Sequence, residues 1–176
     1  MEKEKSGLDF KLMSLTYKIR DLFFSRRNVL KEVGIKPGFH VLDYGCGPGS
    51  YLIPLVELVG ASGKIYALDV HPLALQRIRK IALKKSLTNV ETIHSDCNTG
   101  LLDQSVDVVL LYDTFHDLED GKAVLKELHR ILKPNGILSF SDHHLKEQNI
   151  LEKVTGGDLF ILSQMGKKTY GFAKQA

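Results

Sequence analysis

The stretch that most constrains the fold runs from Val41 to Tyr51. An apolar run, Phe39 to Leu42, ends in Asp43, and Gly45, Cys46, Gly47, Pro48 and Gly49 follow before a helical pattern begins that reaches Val59. This succession predicts a buried strand that hands over to a helix through a tight, bare-backbone loop. Glycines there permit positive φ and carry no Cβ, so a ligand can lie against main-chain amides at the start of the helix. The spacing is Gly-x-Gly-x-Gly, not the Gly-x-Gly-x-x-Gly of a dinucleotide loop, and no Gly-Lys-Ser or Gly-Lys-Thr follows as in a triphosphate loop. Taken alone, the loop leaves a plain turn as the alternative reading.

The chain beyond the loop keeps alternating. Lys64 to Asp69 is a short apolar run that ends in an acid, as suits a parallel strand buried on both faces. Asp69 lies about 20 residues beyond the loop, where an acid of such a unit accepts from ribose hydroxyls; the alternative is a cap for the next helix. Leu73 to Lys85 reads as a helix with Leu75, Ile78, Ile81 and Ala82 inside and Arg77, Arg79, Lys80, Lys84 and Lys85 outside. Asn89 to His94 is a third strand, and Val106 to Tyr112 a fourth that empties into Asp113-Thr-Phe-His116-Asp117. A helix over Lys122 to Leu132, a turn at Lys133 to Gly136 and a strand over Ile137 to Ser141 lead to Asp142-His143-His144. The helix Lys146 to Val154 and a hairpin, Leu159 to Ser163 with Thr169 to Phe172, close the chain. Strand and helix alternate five times, which predicts an α/β fold: a doubly wound, mostly parallel seven-stranded sheet ending in an antiparallel hairpin, with helices on both faces. Ligands of such a sheet bind past the carboxyl ends of the strands, near the switch between the first and fourth.

Composition limits the functions available. With 176 residues, 43% hydrophobic and 26% charged, the chain suits a single domain, 1–176. Within it, residues 1–35 are expected to form a helical arm whose apolar groups, Phe10 to Phe24, would dock on the sheet edge or cover the pocket as a lid. A net charge of +3 does not make a nucleic-acid surface, and the basic helix lacks aromatics for base stacking. The cysteines, Cys46 and Cys97, cannot form a disulfide framework or a four-ligand zinc site and fit a reducing cytoplasm. No leader and no membrane span is expected.

Asp43-Tyr-Gly-Cys-Gly-Pro-Gly49 resembles the first motif of class I S-adenosylmethionine-dependent methyltransferases, and Leu128 to Gly136 resembles the stretch before their fifth strand. The resemblance runs from Lys36 to Gln175. It implies S-adenosylmethionine as cofactor and S-adenosylhomocysteine as product. Asp43, Gly45, Cys46, Gly47 and Gly49 would then hold the methionine part, Asp69 the ribose and Asp96 the adenine amino group, with Val70, Cys97 and Tyr112 completing the cofactor-binding set. For Asp96 an Asx turn is the alternative.

Methyl transfer is an in-line displacement, so a base is needed where the nucleophile carries a proton. His116 is the first candidate, since an unperturbed imidazole titrates near neutrality. Asp113 and His143 stand behind it as catalytic candidates, with Asp117 and His144 in reserve; the alternative is a loop that bonds the cofactor end and caps the next helix. Catechol-type relatives bind magnesium at places like Asp113 and Asp142-His143, but a histidine as second member departs from that pattern, and no metal is assigned. The Pro-Cys and Asn-Pro-Pro-Tyr motifs of DNA- and glutamine-directed enzymes are absent. No large substrate domain follows the fifth strand, so the acceptor is expected to be a small molecule, its pocket built from the arm, the two His-Asp loops and, in a homodimer, a partner chain. A cofactor-binding sensor or non-catalytic partner subunit and an RNA methyltransferase are the other readings.

Overall fold

The computed structural model describes residues 26–175. The amphipathic helices and lid expected before Arg26 lie outside the described residues. The elements in order are α1 (Arg26–Leu30), β1 (His40–Tyr44), α2 (Leu52–Val59), β2 (Lys64–Asp69), α3 (Pro72–Lys84), β3 (Val90–His94), β4 (Val106–Tyr112), α4 (Gly121–Ile131), β5 (Leu132–Ser141), α5 (Glu147–Thr155), β6 (Phe160–Met165) and β7 (Tyr170–Lys174). Among the described residues, seven strands form one sheet in the order β3-β2-β1-β4-β5-β7-β6. The pairs among β1 to β5 are parallel, and β7 runs antiparallel to both β5 and β6. This is the doubly wound sheet with a terminal hairpin expected from the sequence, and its switch point falls between β1 and β4.

Strand alternation divides the core in two. Leu42, Tyr44, Leu68 and Leu111 meet α4 and α5 on one face, while Val41, Ile65, Ala67 and Leu110 meet α1, α2 and α3 on the other. Val29 and Leu30 of α1 therefore pack on a sheet face. A bulge follows the pair Val106–Leu132, before Val108 meets Ile137, and it loops out the Lys133–Gly136 turn. It also puts Val106 on the α4 face and Val108 on the α1 face, against simple alternation. Asp107 ties this irregular edge down, accepting from the His40 amide and Lys133 Nζ at 2.8 and 2.7 Å.

As in the sequence reading, which placed none between Asn89–His94 and Val106–Tyr112, no helix joins β3 to β4. The connection crosses β2 and β1 as a polar loop whose backbone groups are satisfied by other means. Thr99 donates from its amide and its hydroxyl to Glu127 Oε1 at 2.8 and 2.6 Å, and Asn98 Oδ1 accepts from Gly100 N. Tyr44 donates its hydroxyl to the Asp96 carbonyl, fixing the loop to β1. Gln104 and Ser105 amides donate to the last carbonyls of α4, those of Arg130 and Ile131.

Glu127 is the hub of this clamp. Hydrogen bonds from Arg130, aided by those from Thr99, hold its carboxyl down at about 2, below the ordinary 4.5. The bonds therefore stabilise the fold above pH 4.5, and that stabilisation is lost as pH falls through about 2. Glu127→Gln is expected to cost about 1.5–3 kcal/mol in urea unfolding at neutral pH, with the gap to wild type shrinking in acid. An equal gap at both pH values contradicts the clamp.

Candidate functional site

The glycine loop is held from below by β2. The amides of Gly45 and Cys46 both donate to the Leu68 carbonyl at 2.9 Å, and Gly47 N donates to Asp69 Oδ2 at 2.8 Å. Gly45, Gly47 and Gly49 all have positive φ, at 73°, 49° and 84°. Their surroundings separate their roles. A Cβ on Gly45 would run into the Thr114 side chain, and one on Gly49 would come within 2.7 Å of Ile78 Cδ1, so these two allow close packing. A Cβ on Gly47 would meet nothing nearer than the Gly45 carbonyl, 4.0 Å away. Gly47 thus faces open space, a cradle that a side chain would fill.

Beside the cradle lie two acids on one face of adjacent strands. Asp43 is 4% exposed, and no hydrogen bond reaches its carboxyl from the described residues. Burial, and then the nearby Asp69 charge, push it up to about 7. A buried polar group without a partner is rare and calls for a ligand or a cost. Asp69 is partly satisfied: Oδ1 accepts from His71 N at 2.8 Å and Oδ2 from Gly47 N. Burial raises it too, against the lowering effect of those amides. Its remaining lone pairs are free of amides. The cap of α3 is His71, whose ring accepts from Leu73 N at 3.2 Å ahead of Pro72, so Asp69 is not that helix's side-chain cap. Both cysteine thiols are pushed up by burial and by neighbouring acids, which suits inert packing groups.

Because the folded Asp43 sits above its unfolded value of 3.8, its neutral form favours folding below about pH 4, and this advantage is lost as pH rises to about 7. Asp43→Asn removes the titration. Its stability relative to wild type should improve between about pH 4 and pH 7 by up to ~1 kcal/mol per pH unit and level off above that, read by urea unfolding. A flat difference contradicts a ligand-free buried carboxylate.

The remaining cofactor-side residues take varied positions. Asp96 is exposed and its carboxylate makes no hydrogen bond with the described residues; nearby, Ser95 Oγ accepts from Cys97 N and Asn98 Oδ1 from Gly100 N. Cys97 is half-buried on the same loop. The Val70 carbonyl meets His94 Nε2 at 2.8 Å. Tyr112 is buried, with its hydroxyl 2.6 Å from Ser139 Oγ and its ring edge-on to Tyr51, so its phenol is committed within the core.

The β4 and β5 ends carry two acid–imidazole couples. His116, in the single turn Phe115–Asp117, has Nδ1 3.0 and 2.9 Å from the two Asp142 oxygens. His143 has Nδ1 2.7 Å from Asp113 Oδ1, and Asp113 adopts φ 50°, unusual outside glycine. The His144 ring lies between, its centroid 4.0 Å from that of His116 and 3.9 Å from that of His143. Thr114, which packs against the glycine loop at Gly45, precedes this turn, so loop and histidine turn are neighbours at the switch point. Among the described residues, no group of three or more His, Cys, Asp or Glu side chains is arranged to hold a metal ion. Sequence reasoning named Asp142 only as part of a metal pattern and passed over Tyr44 and Thr114; no local signal marks any of them, because their partners come from other strands.

A doubly wound sheet whose first turn is a glycine cradle beside an unpartnered buried acid defines a class, the α/β proteins that bind a nucleoside-type ligand at the switch point. The chain belongs to the methyltransferase domain family, whose model matches residues 35–170. It is 33% identical over 112 residues to the demethylmenaquinone methyltransferase of Geobacillus sp. (strain WCH70), covering 63% of this chain and 48% of that protein. To the demethylmenaquinone methyltransferase of Geobacillus kaustophilus (strain HTA426) it is 30% identical over 135 residues, 76% of this chain and 58% of that one. Among solved structures it is similar to a SAM dependent methyltransferase from Aquifex aeolicus, with a TM-score of 0.78 and 28% identity over 92% of this chain and 97% of that one. The chain spans about half the length of the curated relatives it matches. Among the described residues no helix is long and apolar enough to cross a membrane.

Proposed function

We propose that the protein transfers a methyl group from S-adenosylmethionine to a small-molecule acceptor in the cytoplasm. The observation that carries this reading is the buried Asp43, which no described residue hydrogen-bonds, beside the open space at Gly47, where a cation can lie against bare backbone. Asp43 and the Gly45–Gly49 loop would hold the methionine part, Asp69 the ribose hydroxyls and Asp96 the adenine amino group. When bound, S-adenosylmethionine supplies a methyl group on a positively charged sulfur. The protein's own residues do the rest. Asp43 ionises against the positive charge, the crevice excludes water, and His116 takes the proton of the acceptor at Nε2. Residues 1–35 are proposed to form the arm that closes this crevice.

The names of the curated relatives make demethylmenaquinone the first acceptor to try. The test is incubation with methyl-labelled S-adenosylmethionine and a cell extract, separated afterwards into small-molecule, RNA and protein fractions. Label in the small-molecule fraction is the expected result. Label confined to RNA, or no label despite cofactor binding, overturns the reading in favour of an RNA enzyme or a binder.

A further inference from the structure

We propose that Asp142 is a positioning residue for His116, holding its ring in the tautomer that leaves Nε2 bare; the proposal rests on His116 acting as the base. The side chain of Asp142 is fully buried, and its two oxygens accept from the amides of His116 and His144, both at 3.0 Å. One carboxylate therefore staples the loop after β4 to the loop after β5. The third donor is the imidazole, whose Nδ1 lies within 3.0 Å of both oxygens. An ionised carboxylate only accepts, so Nδ1 must carry the hydrogen. In a neutral ring that leaves Nε2 as the lone-pair nitrogen.

The surroundings of the ring fit this assignment. On the Nε2 side, Asp117 Oδ1 stands 3.5 Å away, too far for a good hydrogen bond and close enough to favour the imidazolium once Nε2 gains a proton. The His144 ring covers one side of His116, and His143, 6.4 Å away, is drawn off by Asp113. A purely structural Asp142 would need only the two amides; the shared contact to Nδ1 adds nothing to the staple that a third amide or a water could not supply. Asparagine tests the difference, because its oxygen can keep an amide while its NH₂ donates to Nδ1 and forces the hydrogen onto Nε2.

The decisive measurement is the imidazole ¹⁵N spectrum of histidine-labelled protein, assigned with His116→Gln. The wild-type ring, when neutral, is expected to be protonated at Nδ1, and the ring of Asp142→Asn at Nε2. Asp142→Asn should bind S-adenosylhomocysteine within a few fold of wild type while methyl incorporation into the small-molecule fraction of a cell extract falls ~10²- to 10⁴-fold. A neutral wild-type ring protonated at Nε2 overturns the proposal even if the variant fails to fold. So does a folded Asp142→Asn with unchanged tautomer and incorporation. Normal incorporation by His116→Ala overturns the base reading itself, and is recognised as that failure because the wild-type ¹⁵N spectrum still shows Nδ1 protonated.

Discussion

Gly47→Val is expected to lose S-adenosylmethionine affinity by at least ~10²-fold, the equivalent of about 2.7 kcal/mol, while the protein still folds. Two features of the loop set this expectation. The Cβ of the new side chain enters space bounded only by the Gly45 carbonyl at 4.0 Å, so it fills the cradle without striking the core. The backbone, at φ 49°, sits in the left-handed region, where a β-branched residue is strained by about 1–3 kcal/mol. That strain lowers stability, or the loop moves to relieve it and displaces the Gly47 amide from Asp69. In either case the valine side chain occupies the cradle. Gly45→Ala gives the contrast, since its Cβ would collide with Thr114 and should register first as a folding defect. Calorimetric titration and thermal unfolding of both variants separate the roles. Normal binding by Gly47→Val means the loop is only a turn.

His116→Ala should keep cofactor affinity within a few fold and lower turnover by ~10²- to 10⁴-fold, the usual range for removing a positioned base. The first half follows from position: His116 lies past the end of β4 and bonds Asp142, while the cradle is built from β1, β2 and their loops. The second half follows from the free Nε2, the proton acceptor of the crevice. A His116→Ala enzyme with normal turnover removes the base and leaves methyl transfer to alignment alone.

Much of the fold was legible because the signals are local. The apolar run into Asp43, the three glycines and the apolar run into Asp69 lie in short windows, and strand alternation then places both acids on one face. That no helix joins β3 to β4 was legible, but what takes its place was not. Its replacement is a set of hydrogen bonds from Glu127, Tyr44 and the end of α4, all distant in sequence. The outward turn at Lys133–Gly136 was visible, but its inclusion in β5 depends on a bulge set by the pairing with β4. In the site, His116, Asp113 and His143 stood out by residue type. Their pairing did not: the order of the chain suggests neighbours, whereas the structure couples His116 to Asp142 and His143 to Asp113 across the two strand ends.

The most direct test is titration calorimetry of the protein with S-adenosylmethionine at about pH 6 and about pH 8, in buffers of different ionisation enthalpy, with NAD alongside. Asp43, held near 7 when the site is free, must be ionised to meet a positive charge. The account therefore predicts saturable binding of S-adenosylmethionine that tightens from the lower to the higher pH, with proton release near neutrality and no binding of NAD. Binding of NAD in place of S-adenosylmethionine contradicts it.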